Sequence, residues 1–443
     1  MRRLLVLLCL ACATSACDRP LVEGTDPSLL EVSPDLSTVR LEPDLVLSLR
    51  APGLEGALAV SVDGVRVPFD SLAGTYELPV TLVPGLNTLR VEVTDDAGFV
   101  RVDTLRAVHL PLRRVSLVSS SASVARAAAA DVALADGRIL LTGGADASDR
   151  AQAGATILLP GGVQIDAREV ALGEPRAAHT ASVLPDGRIL LLGGALTDRP
   201  TTPNEFVRTV EIVDAAGTSV TRVETDTPPA RAGHTAQVLT LDGETYVTLY
   251  GGIVPAGSGT TVSGTVDVYR LGGGGLEEGE TTELTRLSPE GGSGGFARVT
   301  GHTQVALNPQ QATVLGRDAD QNPIALSLFW STPGTSVFPF TLLDDALPEA
   351  VGGRGRAAAV DVGAALGAPG LILVIGGETN IGRTGSMEVV VPSLGRAFRV
   401  PDVALQVPRA DHTATILSTR RIVVSGGRSD TGDALTAIEA FEF

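Results

Sequence analysis

Lysine is missing from this sequence altogether, so every basic residue is an arginine. The 34 basic residues face 51 acidic ones, leaving a formal net charge of −17. No basic stripe is available to neutralise a phosphate backbone, which argues against nucleic acid as a partner. Cysteine is almost as scarce: Cys9, Cys12 and Cys17 are the only copies. Beyond residue 17 the chain therefore has no intramolecular disulfide. Aromatic residues make up 3% of the chain, so its cores must be filled by Val, Leu, Ile and Ala. Past the N-terminal leader no apolar run is long enough to cross a membrane as a helix. No serine elbow, HExxH motif or glycine-rich phosphate loop is found either.

What the sequence does have is a recurring unit. RAAHTASVLPDGRILLLGG, residues 176–194, combines an alternating run, an Asp186-Gly187 turn, an apolar run and a closing glycine pair. Related stretches start near Arg126, Arg231, Arg298, Arg356 and Arg409. They close on Gly143-Gly144, Gly251-Gly252, a departing Gly316-Arg317, Gly376-Gly377 and Gly426-Gly427. Short strands repeated at this spacing imply a propeller rather than a helical solenoid. Asp-Gly turns suit hairpins because glycine takes positive φ without cost. The apolar second strand implies cover on both faces.

These segments resemble kelch repeats over about residues 110–443. His179, His234, His302 and His412 occupy the histidine position, with Ala129 and Ala359 in the first and fifth copies. Tyr269 and Trp330 stand near the places where the family carries aromatic residues. The resemblance implies an all-β, six-bladed kelch-like propeller over residues 108–443. Two glycine-rich stretches, around Gly272–Gly275 and Gly291–Gly295, read as insertions. The sixth repeat supplies only three strands, ending near Phe441. Ring closure is therefore expected from Arg113–Val118 pairing antiparallel with Ala437–Phe441.

Residues 1–17 resemble a bacterial lipoprotein signal. Arg2-Arg3 precede an apolar core, and Thr14-Ser15-Ala16-Cys17 forms a loose lipobox with Thr14 where leucine is usual. Cys17 is the expected lipid attachment site, which implies an exported, membrane-anchored protein of the bacterial envelope. Membrane contact is expected through that anchor alone. Residues 18–32, with Pro20 and Pro27, read as a tether. Residues 33–107 alternate in short strands, with Leu58, Val60 and Val62 on one face and Leu89, Val91 and Val93 on another. With Pro84-Gly85 and a TDDAG turn they resemble a bacterial immunoglobulin-like β-sandwich.

The four motif histidines, one in each of four repeats, stand too far apart for one metal ion and read as structural links. The arginines at the repeat starts are expected to pair with backbone or acidic groups. Asp318–Asn322 alternates oxygen ligands but reads as a solvated turn. Copper radical oxidase propellers need a cysteine cross-link, and sialidase-like ones carry SxDxGxxW boxes; neither feature occurs. No cofactor, metal ligand or catalytic residue is assigned. The expected function is a monomeric binding or scaffold protein, non-enzymatic, using a propeller face for protein or glycan recognition. Loops 196–208, 253–262, 271–296 and 345–356 are the expected face. The alternative is a glycan-active hydrolase or lyase with acidic residues at the pore. A raised-pKa carboxyl among inward carboxylates would favour catalysis, and an apolar loop patch would favour binding.

Overall fold

The computed structural model describes residues 21–443 apart from 24–30, 51–58, 99, 120–124, 160–164, 224, 226–228, 242, 273–274, 284–285, 288–292, 295–297, 309–310, 322, 330–339, 343–353, 369 and 419. Cys17, Trp330 and most of Gly291–Gly295 lie outside the described residues. The chain divides into two units. The first comprises residues up to Leu36 with 44–82 and 87–107, and the second comprises 37–43, 83–86 and 108–443.

The first unit holds a five-stranded and a four-stranded sheet. Leu47 and Leu49 on one, and Val60, Val62, Val91 and Val93 on the other, share a single apolar cluster. Strand Asp44–Arg50 alternates buried and exposed side chains, as a sheet with one wet face requires. The segment expected as a tether is partly built into this unit. Leu21–Glu23 pairs parallel with Val100–Val102, and Glu31–Ser33 pairs with Ser48–Arg50.

The second unit contains six four-stranded antiparallel sheets. Their first strands start at Ala130, Thr180, Thr235, Thr303, Ala358 and Ala410, and they touch in a closed cycle in which the sixth meets the first. The second strands explain why that run is wholly apolar. Ile189 and Leu191 pack towards the first sheet, with Leu140 and Ile157. Leu190 and Leu192, one residue out of phase, pack towards the third, with Val247 and Leu249. The same division recurs at every junction, down to Leu141 and Val423 between sheets six and one. Each such side chain stabilises the ring by roughly 1.5–3 kcal/mol through burial.

The ring closes as the strand count requires. Arg113–Ser119 pairs antiparallel with Ala437–Glu442, from Arg113↔Glu442 to Ser119↔Ala437. The sixth sheet is thus assembled from both ends of the unit. Across the same junction the Asp131 carboxylate, on the first sheet, accepts from the Thr415 hydroxyl on the sixth. Burial pushes Asp131 up to about 6, outweighing that bond and a weaker one from Thr413. Its folded pKa lies above the unfolded value, so its stabilising contribution is complete below the unfolded pKa and lost as pH rises through about 6. Asp131→Asn should therefore raise stability at pH 8 by at most about 3 kcal/mol and leave it nearly unchanged at pH 4. Urea unfolding at the two pH values checks this; equal shifts at both would contradict it.

The glycine pairs act between sheets. The amide of the second glycine donates to the next repeat, Gly194 to the Arg231 carbonyl and Gly427 to that of Arg126, both at 2.8 Å. A Cβ on Gly193 would stand 2.4 Å from the Arg231 carbonyl oxygen and 2.7 Å from the His234 ring. Glycine is needed there for close approach as well as for its φ of +61°. Two local expectations change. Gly272 pairs with Gly275 at the ends of the third and fourth strands of sheet three, so these two glycines belong to the sheet rather than to an insertion. In sheet five, Asp361 caps a short helix, Val362–Leu366, between the first two strands, where the sequence reads as continuous strand.

Candidate active site

The arginines that open the repeats are the largest buried polar groups. Arg176, Arg231 and Arg409 meet Glu211, Asp267 and Glu439 of the third strand at 2.9, 2.6 and 2.8 Å. Each also donates to the carbonyl of the first glycine of its own pair. In the fifth repeat this role belongs to Arg354, paired with Glu388 at 2.9 Å. That corrects the register: Arg354, not Arg356, aligns with the other arginines, and Ala357, not Ala359, takes the histidine position. Arg298, expected to open the fourth repeat in the same way, is exposed.

Three of the four motif histidines link neighbouring sheets, whereas both ring nitrogens of His412 are buried without a hydrogen-bond partner among the described residues. His179, His234 and His302 hydrogen-bond through Nε2 with the hydroxyls of Thr142, Thr180 and Thr235, at 2.8, 3.2 and 3.0 Å. Burial, reinforced by a nearby arginine, holds His179 and His234 well below the ordinary imidazole range. His302 and His412 are pushed down to about 3 by burial. All four rings are neutral at ordinary pH. His234→Ala removes one link and leaves a cavity, and should lower stability by about 1–3 kcal/mol. Thermal unfolding checks this, and an unchanged melting temperature would contradict the role.

The residue just before the histidine position has positive φ in every repeat: Ala128, Ala178, Gly233, Gly301, Arg356 and Asp411. Successive members are joined by backbone hydrogen bonds, from Ala178 N to Ala128 O, Ala128 N to Asp411 O, Asp411 N to Arg356 O and Arg356 N to Gly301 O. They form a collar around a central cavity of about 440 Å³. Four members are small, and the two that are not stand side by side. The residue after the glycine pair divides in the same way: Ala145, Ala195 and Ile253 in the first three repeats, Asp318, Glu378 and Arg428 in the last three. Arg317, in a glycine position, also lines the cavity. Polar groups thus replace small or apolar ones on one side of the ring. Non-glycine residues at positive φ carry strain, and such strain concentrates at functional sites.

Arg356 is the hub of this cluster. Its Nε donates to Asp411 Oδ1 at 2.6 Å, while Nη1 lies 3.5 Å from Glu378 Oε2 and Nη2 lies 3.9 Å from Asp198 Oδ2. Asp198 arrives from sheet two on the loop after its glycine pair and also meets Arg428 at 3.3 Å. Arg428 in turn binds Asp149 of the first sheet's loop. Asp411 is 8% exposed, and its Oδ2 is buried with no protein partner. Burial raises its pKa and the charge of Asp198 adds to the rise; Arg356, Arg199 and Arg383 oppose it. Glu378 keeps 41% of its side chain exposed. Burial thus favours the protonated form of Asp411 beside Arg356 and the more exposed Glu378, an arrangement that suits general acid–base chemistry.

Among the described residues no group of histidines and carboxylates could hold a metal ion. Asp318 folds onto its own loop, its Oδ1 accepting from the Asp320 amide at 2.9 Å. Of the expected recognition loops, 196–208 and 253–262 reach the cavity end through Asp198, Arg199 and Ile253. Of 345–356, only Arg354, Gly355 and Arg356 are described, and Gly355 and Arg356 line the cavity.

No family model matches the chain, and neither does any curated protein sequence. Its fold is similar to the solved structure of YjhT, with a TM-score of 0.52 and 12% identity, covering 72% of this chain and 95% of that one. The chain is an all-β protein of several small antiparallel sheets with a propeller-like fold. The expectation of a non-enzymatic scaffold for protein binding is corrected here. The cavity is lined by alanines and Ile253 together with a charged cluster that includes a raised-pKa carboxyl. A carboxyl whose pKa burial raises, beside the more exposed carboxylate of Glu378, is the feature that the catalytic alternative calls for.

Proposed function

We propose that the chain is a glycan-active hydrolase working at the pore of a six-bladed, kelch-like propeller. The observation that carries this reading is Asp411, a cavity-lining residue whose Oδ1 is held by Arg356 while its buried Oδ2 has no protein partner among the described residues. Asp411 donates its carboxyl proton to the glycosidic oxygen as the bond to the anomeric carbon breaks. Glu378, the more exposed carboxylate, takes a proton from the water that attacks that carbon. The products are an alcohol and a hemiacetal, and the proton on Glu378 returns to Asp411 through solvent. Asp198, fixed by Arg428, places its carboxyl group beside the positive charge that develops on the sugar ring. A panel of polysaccharides and oligosaccharides, assayed for new reducing ends, tests the reading. Release from at least one member is expected; none from any, with folded protein, would overturn it.

The remaining assignments complete this proposal. The first unit serves as an immunoglobulin-like spacer, and Cys17 carries the lipid that anchors an exported, monomeric protein to the bacterial envelope. Mass analysis of detergent-extracted protein would find Cys17 acylated at the mature N-terminus; a different N-terminus would contradict the anchor.

A further inference from the structure

The cavity that holds Asp411 has a neighbour. Asp198 and Arg199 line both it and a second cavity of about 550 Å³, whose other walls include Asp149, Glu205, Arg428 and Asp433. Asp198 stands between them, its Oδ2 facing Arg356 on one side and Arg428 on the other. The partition is built into the fold. Leu196 accepts from the Ala151 amide at 2.9 Å and donates to the Glu205 carbonyl at 2.8 Å, and Arg150 bridges to Thr197. Resting on the hydrolase reading, we propose that the second cavity is a subsite for the same glycan, so that the bond cleaved lies inside an oligosaccharide spanning both lobes.

The chemistry of the second lobe fits sugar hydroxyls. Glu205 is locked by the amides of Thr201 and Thr202, at 2.6 and 3.0 Å, and these bonds lower its pKa. It therefore presents a fixed, ionised acceptor. Asp433 accepts from the Thr431 hydroxyl at 2.6 Å. Among the described residues no Phe, Tyr or Trp lines either lobe. Recognition therefore runs through hydrogen bonds, and each lobe has the volume of an ordinary small-ligand pocket. The acid stands on one side of the partition only, so sugar units must extend across Asp198 to fill both lobes.

The test uses reducing-end-labelled series from disaccharide to hexasaccharide, made from chitin, cellulose and alginate, with the full-length protein. On the cleaved series, kcat/KM should rise at least tenfold from disaccharide to hexasaccharide, with internal fragments as the first products. Ala147 also lines the second lobe, and Ala147→Trp, which would fill it, should reduce the hexasaccharide value to that of the disaccharide. Hydrolysis that is independent of length, or that releases only terminal sugars, would overturn the subsite and leave the hydrolase reading standing. Calorimetry of the three hexasaccharides separates the reverse case. Binding without cleavage that Ala147→Trp weakens tenfold would support the subsite and sink the hydrolase reading; no binding and no cleavage would overturn both.

Discussion

Asp411→Asn is expected to lower kcat on the cleaved glycan by about 10²–10⁴-fold, the usual contribution of a positioned general acid. The substitution is gentle on the fold. Asparagine tolerates the φ of +55° at this position and keeps an oxygen for the Arg356 Nε bond. Stability should not fall either. The folded pKa of Asp411 is raised, so its contribution is complete below the unfolded pKa and is lost as pH rises through the folded one. Above the folded pKa a neutral amide avoids the penalty of burying an anion. A variant that melts like the wild type yet has lost its activity is the predicted result. One that melts normally and keeps its rate within a few-fold would remove Asp411 from the mechanism.

Arg409→Leu should have the largest effect on stability, about 3–5 kcal/mol. Arg409 and Glu439 are both fully buried and meet at 2.8 Å, and Arg409 also donates to the carbonyls of Gly426 and Ala437 at 3.0 and 2.9 Å. Removing the cation strands a carboxylate that keeps only the Gln406 and Val407 amides and a distant Arg114. The loss is a large share of the roughly 5–15 kcal/mol typical of a folded domain. The double variant Arg409→Leu/Glu439→Leu should recover much of it, because removing both ions also removes the desolvation cost. Urea unfolding of both variants checks the pair. A loss below about 1 kcal/mol for the single variant would show that Glu439 is neutralised some other way.

The ring was legible in the sequence because its causes are local and repeated. Asp-Gly turns, apolar second strands and closing glycines recur, and the strand count alone requires Arg113–Ser119 to complete the sixth sheet. The partners of the buried arginines were not legible. Glu211, Asp267, Glu388 and Glu439 sit in otherwise apolar third strands, and only folding brings them back beside the repeat start. The fifth repeat misleads for a simple reason: Arg354 and Arg356 are two residues apart, and either can be taken as its first arginine. Choosing Arg356 moves the histidine slot to Ala359 and hides Arg356 as a cavity residue.

The site itself escaped attention because a repeat draws the eye to what its copies share. Arg317, Arg356, Glu378, Asp411 and Arg428 are the places where copies differ, each a polar residue where other repeats carry glycine, alanine or isoleucine. A search for charged departures from the repeat would have gathered most of the cluster. Asp198 would still have been missed, since it belongs to the second repeat's loop and reaches the others only across the ring.

The central claim, that Asp411 holds the catalytic proton, is tested most directly by the pH dependence of kcat/KM on the cleaved glycan. For the wild type, activity should fall as pH rises through a pKa above the ordinary aspartate range, because the acid is lost when Asp411 ionises. In Asp411→Asn the small residual activity should show no such alkaline limb. A wild-type profile without the limb, or the same limb persisting in the variant, would contradict the assignment.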